Sequence, residues 1–278
     1  MKSLFDNISH KASSMVTKSY STSFSLGILF LDKALHQHIY ALYGFVRFAD
    51  EIVDSFHDYD KADLLERFRS DTLRAIDDKI SLNPILQAFQ LVYHKYDFNL
   101  ELVETFLESM RMDLDKTAYS RVGYDQYILG SAEVVGLMCL KVFTEGNKEM
   151  YETLKPKAMK LGAAFQKINF LRDLKEDYQT LGRSYFPGIE IESFDSDTKK
   201  KIEDEIAADF AEGFEGIIKL PKDARFGVYV AYTYYYRLFK KIKAIPCHRI
   251  LEERVRIPNR RKITLLLGSY LKHSFNSL

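Results

Sequence analysis

Tryptophan is absent from the 278-residue sequence, and cysteine, glycine and proline are scarce, with 2, 13 and 6 residues respectively. The two cysteines, Cys139 and Cys247, form no CxxC motif and have no histidine at the spacing of a zinc site. Their positions argue against a disulfide framework or a structural zinc site and favour a reducing, intracellular setting. The scarcity of glycine and proline argues against a β-sandwich, a β-barrel or a disordered chain. Cys139 lies in an apolar run and is predicted to be a core residue.

A strong net charge is also lacking, because 40 lysine and arginine residues balance 39 aspartate and glutamate residues. No overall field therefore points to nucleic acid as a partner. Charged residues stand where a signal peptide needs its apolar stretch, and no apolar run reaches the roughly 18 residues of a transmembrane helix. The charged segment 199–209 is expected to form an exposed helix face, and His36 and His38 are expected at the surface.

Apolar residues recur at helical spacing almost throughout, which predicts one all-α domain over residues 1–278. The predicted helices span about 32–54, 60–79, 83–96, 100–116, 124–143, 149–178, 197–218, 221–244 and 259–275. Every proline is placed at a helix edge or in a connection, with Pro156 close to the start of its helix. No repeat of fixed period and no Gly/Ser linker divides the chain.

Two of the predicted helices carry a polar stripe on an otherwise apolar surface. The stripes are formed by Tyr43, Arg47, Asp50 and Asp54, and by Gln166, Asn169, Asp173 and Asp177. Successive members are three or four residues apart, so each set shares one helix face. Unpaired buried carboxylates are too costly to persist, and these groups therefore need cations. Two carboxylates one turn apart suit Mg²⁺, which completes its shell with water and phosphate oxygens.

An alternative interpretation needs no metal. One aspartate pair at this spacing is common in helices, and Arg47 and Arg172 could neutralise the carboxylates in buried salt bridges. Two such pairs, each with an amide or arginine in register, favour a Mg²⁺–diphosphate site between facing helices of a bundle.

The two stripes lie in longer motifs that resemble a known family. Residues 43–54, YGFVRFADEIVD, resemble the first aspartate-rich motif of the squalene/phytoene synthase family, and residues 166–187 resemble its second. The likeness extends to 21–24, 110–113, Tyr127, 135–136 and 254–258, and thus covers about residues 19–262. Three residues depart from the family pattern: Glu51 replaces the usual second aspartate, Val46 a frequent cysteine and Glu133 a small residue. Glu51 keeps a carboxylate, whereas Glu133 has no explanation from the sequence.

The resemblance implies a single-domain isoprenoid-synthase helical bundle around a central cavity, and Mg²⁺-dependent coupling of two isoprenyl diphosphates. The implied metal ligands are Asp50, Asp54, Asn169, Asp173 and Asp177, with Tyr43 and Arg47 joining the four aspartates as catalytic residues. The implied diphosphate contacts are Ser21, Ser23, Tyr43, Arg47, Gln166, Asn169, Arg172, Arg183, Tyr185, Tyr235 and Arg254. The isoprenyl tunnel is assigned to Phe24 and Ile28, on a short helix after Ser23, and to Tyr127, Val135 and Leu137.

Segments 110–114 and 131–138 are more similar to bacterial phytoene synthases, and we expect no C-terminal membrane anchor of the kind that longer eukaryotic squalene synthases carry. The resemblance therefore favours phytoene synthesis from two molecules of geranylgeranyl diphosphate in carotenoid biosynthesis. Mg²⁺, with Mn²⁺ as a substitute, is the expected metal, and NADPH is not expected. C15-using relatives that make presqualene diphosphate, dehydrosqualene or squalene remain an alternative, as does a non-catalytic isoprenoid-binding or assembly factor. We expect a cytoplasmic enzyme with loose membrane contact through the basic cluster at 254–262, whose other interpretation is a solvated face.

Overall fold

The computed structural model describes residues 1–115, 118–181, 185–188, 194–252 and 254–255, with the side chains of 115 and 176–181 excepted. Within these ranges the chain is helical and contains no β-strand, which confirms the all-α prediction. The helices are α1 (Lys2–Tyr20), α2 (Thr22–Leu29), α3 (Lys33–Ser55), α4 (Lys61–Asp78), α5 (Pro84–Lys95), α6 (Leu100–Asp115), α7 (Arg121–Ile128), α8 (Val134–Phe143), α9 (Lys148–Leu181), α10 (Ser196–Ile217), α11 (Lys222–Ala244) and α12 (Cys247–Glu252). A π-helical segment, Leu129–Glu133, joins α7 to α8.

Side-chain caps explain where several predicted helices begin. The Asp32 carboxylate accepts a hydrogen bond from the backbone N–H of Ala34 at 2.8 Å at the start of α3. Asp60 accepts one from the N–H of Asp63 at 3.0 Å at the start of α4, and Asn83 caps α5 in the same way. These oxygens satisfy backbone donors that have no partner inside the helix, so the sequence signals set the helix starts within a residue or two.

One difference from the predicted helices has a clear cause. The expectation that every proline lies at an edge is wrong for Pro156, which lies inside α9. Asn147 accepts a hydrogen bond from the N–H of Met150 at 3.0 Å and starts the helix upstream of the proline. The long helix tolerates the one backbone hydrogen bond that proline removes. α1 and α12 lie outside the predicted set, and the predicted helix 259–275 lies outside the described residues.

Two hydrophobic clusters form the core. In the first, Phe45 of the central helix α3 stacks on Phe89 of α5 and contacts Phe106 of α6, with ring centroids 3.9 and 5.3 Å apart. The second joins α9, α10 and α11, where Phe210 stacks on Phe239 at 5.8 Å. The aspartate-bearing helix α3 packs in the first cluster, whereas the first turns of α9 pack in the first cluster and the segment 163–174 in the second. The cavity described below is lined by residues of both clusters.

The charged segment 199–209 is only in part the exposed face that its composition predicts, with Lys200, Lys201 and Asp204 exposed. Lys199, Glu203 and Asp209 are buried. Asp209 of α10 pairs with Lys167 of α9 at 2.7 Å, which joins the two helices. The same lysine acts electrostatically on Glu133: burial raises the pKa of that glutamate while Lys160 and Lys167 oppose the shift. Buried charges paired across a helix interface look, in the sequence, like a solvated charge run.

One stretch satisfies a length and hydropathy test for a membrane span. The continuous helical run Arg121–Phe143 has a mean hydropathy of 1.3 over its best window, although the sequence was expected to hold no such segment. In this fold the run contributes Tyr127, Leu137 and Met138 to the buried core. The apolar character of the run therefore matches its position as a core helix, and it is weak evidence for a membrane span.

Candidate active site

A cavity of about 650 Å³ lies among α2, α3 and α6 to α11. Sixteen of the residues predicted for the site line it: Ser21, Phe24, Ile28, Tyr43, Arg47, Asp50, Asp54, Tyr127, Val135, Gln166, Asn169, Arg172, Asp173, Tyr185, Tyr235 and Arg254. The first and the last of these residues, Ser21 and Arg254, are more than 200 positions apart in the sequence, and the fold brings them to one cavity.

Four predicted residues are not described in the cavity wall. Leu137 is buried in the first core cluster, because α8 turns Val135 and Cys139 toward the cavity and Leu137 away from it. Ser23 is not among the described residues of the wall. The side chain of Asp177 and the whole of Arg183 lie outside the described residues.

The lining changes from apolar to polar along each of the two aspartate-bearing helices. On α9 it runs from Leu154 to Asp173, about 28 Å at 1.5 Å per residue. On α3 it runs from Ile39 to Asp54, with tyrosine, arginine and aspartate in the second half. The cavity therefore has one charged region and one long apolar region, which suits a ligand with a charged head and a hydrocarbon tail.

The first aspartate pair lies at the charged region on α3. Arg47 forms ion pairs with both Asp50 and Glu51, and its guanidinium lies 4.4 Å from the ring centroid of Tyr20. Burial and the neighbouring Asp54 raise the pKa of Asp50 to about 7, and Arg47 offsets only part of this effect. A carboxylate that is hard to ionise beside other carboxylates indicates a place where an added cation is favourable.

The second pair approaches from α9. Arg172 donates to Asp173 through Nε at 2.9 Å, and Nε of Arg254, which follows α12, lies 2.7 Å from the same carboxylate. Burial lowers the pKa of Arg172, but the hydrogen bonds that Arg172 donates to Asp173 and the negative charge of that carboxylate raise it, and the net shift is upward. Each described aspartate-rich motif is thus paired with arginine, as the metal-free interpretation of the sequence expects.

The residues present also fit a hard divalent cation. The carboxamide oxygen of Asn169 is buried and has no hydrogen-bond partner among the described residues, while its nitrogen donates to Gln166 at 3.3 Å. Asp50 and Asp54 add carboxylate oxygens that repel one another. Among the described residues no three acidic, histidine or cysteine side chains are close enough to form a ready-made metal cluster. The donors are therefore of the right type for Mg²⁺, and diphosphate oxygens would complete the set.

Sequence reasoning missed the role of Asp113. This buried carboxylate of α6 lines the cavity and accepts hydrogen bonds from the hydroxyls of Tyr127 at 2.6 Å, Tyr119 at 3.1 Å and Tyr185 at 3.3 Å. Burial and the nearby Asp113 raise the pKa of Tyr127 well above its ordinary value, so its hydroxyl stays protonated. The one feature of the sequence that pointed to Asp113 is the segment MRMD at 110–113, which resembles a motif of the family.

Aromatic rings and one cysteine complete the wall. Phe170 stacks on Tyr185, and Phe165 stacks on Tyr235, each pair with centroids 4.1 Å apart. Cys139 packs against the first core cluster as predicted and also lines the cavity, and burial raises the pKa of its thiol to about 12. These groups offer polarisable surface to a ligand rather than an ionised nucleophile.

Comparisons with known proteins agree with this arrangement. Residues 17–261 match the family model described as squalene/phytoene synthase. The chain is 27% identical over 285 residues to the 15-cis-phytoene synthase of Synechococcus elongatus, with 92% of this chain and 91% of that protein covered. It is 26% identical over 282 residues to a chloroplastic phytoene synthase of Zea mays, with 92% of this chain and 64% of that protein covered.

A relative named for a different product matches at the same level. The chain is 27% identical over 195 residues to the 4,4'-diapophytoene synthase of Staphylococcus haemolyticus, covering 68% of this chain and 65% of that protein. The chain thus spans less than two thirds of the length of the maize and staphylococcal enzymes. Among solved structures, a dehydrosqualene synthase in complex with ligand superimposes with a TM-score of 0.82 at 24% identity, covering 96% of this chain and 98% of that one.

Proposed function

Because the chain belongs to the squalene/phytoene synthase family, we propose that it is a prenyl transferase that joins two geranylgeranyl diphosphates head to head. The product would be phytoene, formed through cyclopropyl (prephytoene) diphosphate with release of diphosphate. The observation that carries this proposal is the cavity itself, whose charged region holds aspartates of both motifs and whose remaining wall is mainly apolar. Such a cavity suits two amphiphiles with their heads side by side.

The charged region would hold the diphosphates. Ser21, Tyr43, Arg47, Arg172 and Arg254 all line it, and guanidinium groups bind phosphate oxygens in bidentate fashion. The arginines that neutralise the carboxylates in this structure could then turn to phosphate oxygens.

The carboxylates released in this way could hold the metal. Asp50, Asp54, Asn169 and Asp173 would bind Mg²⁺, or Mn²⁺ in its place, and Asp177 would join them if its side chain follows the same face of α9. When bound, the metal would neutralise charge on the departing diphosphate.

The apolar region would protect and stabilise the allylic carbocation. Its aliphatic and aromatic wall excludes water, which would otherwise trap the cation as an alcohol. The stacked rings of Phe165 with Tyr235 and of Phe170 with Tyr185 present π surfaces to the cavity. A desolvated cation gains about 1–2 kcal/mol from each well-placed ring. Protonated Tyr127, held by Asp113, would keep its hydroxyl at a fixed position in the same wall.

Two observations favour geranylgeranyl diphosphate over farnesyl diphosphate as the substrate. Phytoene synthases are among the relatives, and Ile28 in the cavity wall leaves more room than an aromatic ring would. The staphylococcal relative supports a C15 substrate as the second candidate. A final proton loss would make NADPH unnecessary.

We propose that the enzyme is cytoplasmic, with loose membrane contact in which the basic cluster 254–262 takes part. Of that cluster the structure describes Arg254 and Val255.

Release of pyrophosphate tests the proposal. The purified protein should release pyrophosphate from geranylgeranyl diphosphate only when Mg²⁺ or Mn²⁺ is present. Asp173→Asn should abolish release, whereas Asp63→Asn, which removes an exposed carboxylate of α4, should not change it. A non-catalytic isoprenoid-binding or assembly factor would bind the substrate, but neither the wild type nor the two variants would release pyrophosphate. That result would overturn the proposal.

A further inference from the structure

The fully buried residues of helix α1 are polar, whereas three of its apolar residues are exposed and Phe5, Ala12 and Val16 are half-buried. Ser9, Ser13 and Thr17 are fully buried, at 0% exposure. Leu4 and Met15 are 63% and 66% exposed, respectively. Ile8 is exposed as well, at 51%. A helix on the surface of a water-soluble domain has the opposite arrangement, so this outer face calls for an explanation.

The inward face of α1 packs against α3 and α5. The hydroxyl of Ser9 donates to the carbonyl of Phe5 and that of Thr17 to the carbonyl of Ser13, both at 2.9 Å. Ser13 also lies so close to Gly44 of α3 that a Cβ there would be 3.1 Å from its hydroxyl oxygen. The small side chains of Ser9, Ser13 and Thr17 thus let α1 lie close against α3.

The outward face is basic as well as apolar. Leu4, Ile8, Lys11, Met15 and Lys18 follow one another at spacings of 4, 3, 4 and 3, which aligns them in one stripe. Lys11, Met15 and Lys18 also border a shallow surface groove.

No carboxylate balances these lysines within α1. The helix contains a single acidic residue, Asp6, and it accepts a hydrogen bond from Gln87 of α5 at 2.8 Å and pairs with Lys2. A second copy of the chain is a poor occupant for the stripe, because a two-fold dimer would bring lysines against lysines.

We propose that α1 is a membrane-docking helix that lies in the surface of an anionic lipid bilayer. Leu4, Ile8 and Met15 enter the boundary of the acyl chains, and Lys11 and Lys18 reach the lipid phosphates. This surface is formed by residues 4–18 and not by the basic cluster 254–262, and membrane docking is a property additional to the proposed reaction.

The position of α1 connects the docking surface to the cavity. Tyr20, the last residue of α1, lines the cavity and contacts Arg47 through its ring. Docking through α1 therefore places the charged region of the cavity near the lipid headgroups, where an amphiphilic substrate is concentrated.

The absence of tryptophan makes a direct test possible. Ile8→Trp carries a single indole on the stripe, and Val122→Trp carries one at a matched exposed position, 69% accessible, on α7. With vesicles of phosphatidylglycerol and phosphatidylcholine, the fluorescence of Ile8→Trp should shift to shorter wavelength and that of Val122→Trp should not. Vesicles of phosphatidylcholine alone should give a much smaller shift.

Vesicle flotation measures the strength of docking. Ile8→Glu/Met15→Glu should lower affinity for anionic vesicles by about 100-fold, tenfold for each side chain kept out of the acyl region. Val122→Glu should bind like the wild type. Because the replaced side chains are exposed, the melting temperature should not change, and turnover of detergent-dispersed substrate should stay at the wild-type level. That activity separates failure of docking from failure of the proposed function.

Two results would overturn the proposal. One is equal flotation of the double variant and the wild type, which would place any membrane contact elsewhere, for example at 254–262. The other is a wild-type dimer in sedimentation that Ile8→Glu/Met15→Glu dissociates, with no vesicle binding by either protein.

Discussion

Replacing Asp113 by asparagine should lower both stability and turnover, because three tyrosine hydroxyls share this carboxylate. One carboxylate oxygen accepts from Tyr119 and Tyr185, and the other accepts from Tyr127. An asparagine amide keeps one acceptor oxygen and turns an NH₂ donor toward the remaining hydroxyl donors. At least one hydroxyl therefore loses its acceptor in a buried place.

The size of the effect follows from these contacts. A hydrogen bond to a charged acceptor contributes about 1.5–3 kcal/mol, and a buried polar group left unpaired costs a similar amount. Removing the charge of Asp113 also relieves its repulsion with Asp50, which offsets part of the loss. We expect a net loss of about 1–3 kcal/mol, with the melting temperature falling by roughly 2–4 °C per kcal/mol.

Thermal unfolding and pyrophosphate release measure the two effects. Tyr127 and Tyr185 line the cavity and lose their fixed positions in Asp113→Asn, so turnover should fall by about tenfold or more. Tyr119→Phe is the matched control, because Tyr119 shares the carboxylate but does not contribute to the described cavity wall. It should lose stability and keep its turnover. An Asp113→Asn protein as stable as the wild type, or equal loss of turnover in both variants, would refute the reasoning.

Three further predictions concern the metal site, chain length and acid stability. Asp50→Asn should abolish turnover while the melting temperature stays unchanged or rises, since it removes one of several mutually repelling carboxylates. Ile28→Phe should overfill the cavity and lower the ratio of kcat/KM for geranylgeranyl over farnesyl diphosphate by about tenfold. His38 was predicted at the surface but is buried, and it accepts a hydrogen bond from Lys95 at 2.9 Å. Burial and the charges of Lys95 and His10 lower the pKa of His38 from 6.5 to about 4. The unfolded chain binds the proton first, so the free energy of unfolding should fall as pH drops from 6.5 to 4, and His38→Gln should remove up to about 3 kcal/mol of that fall in urea titrations.

Matched variants give these predictions their controls. Leu29→Phe adds the same ring one residue further along α2 at an exposed position and should leave the substrate ratio unchanged. His248→Gln removes an exposed histidine and should keep the wild-type pH dependence. An Asp50→Asn protein with wild-type turnover would contradict the metal assignment. A ratio unaffected by Ile28→Phe would mean that position 28 does not limit the tail.

The sequence predicted those parts of the site that depend on local geometry. Spacings of three and four residues fix which side chains share a helix face, so Arg47 with Asp50, and Asn169 with Asp173, could be grouped before any fold was known. Capping residues such as Asp32 likewise mark helix starts with little dependence on tertiary structure.

Features that depend on the neighbours of a helix could not be predicted in this way. Asp113 gains its role from tyrosines on α7, in the loop before it and beyond α9. His38 is buried because α1 covers it, and the fully buried residues of α1 are serine and threonine, so the pattern of α1 does not indicate a helix packed on a core. Asp209 is buried through tertiary ion pairs with Lys160 and Lys167 that a charge run does not reveal.

Product mass tests the central claim most directly. The purified protein would be incubated with Mg²⁺ and either geranylgeranyl or farnesyl diphosphate, with and without NADPH, and the extracted hydrocarbons identified by mass spectrometry. The proposal predicts a C40 hydrocarbon with the mass of phytoene from geranylgeranyl diphosphate, formed equally well without NADPH and in preference to any C30 product. A C30 hydrocarbon as the main product, or one that forms only with NADPH, would contradict it.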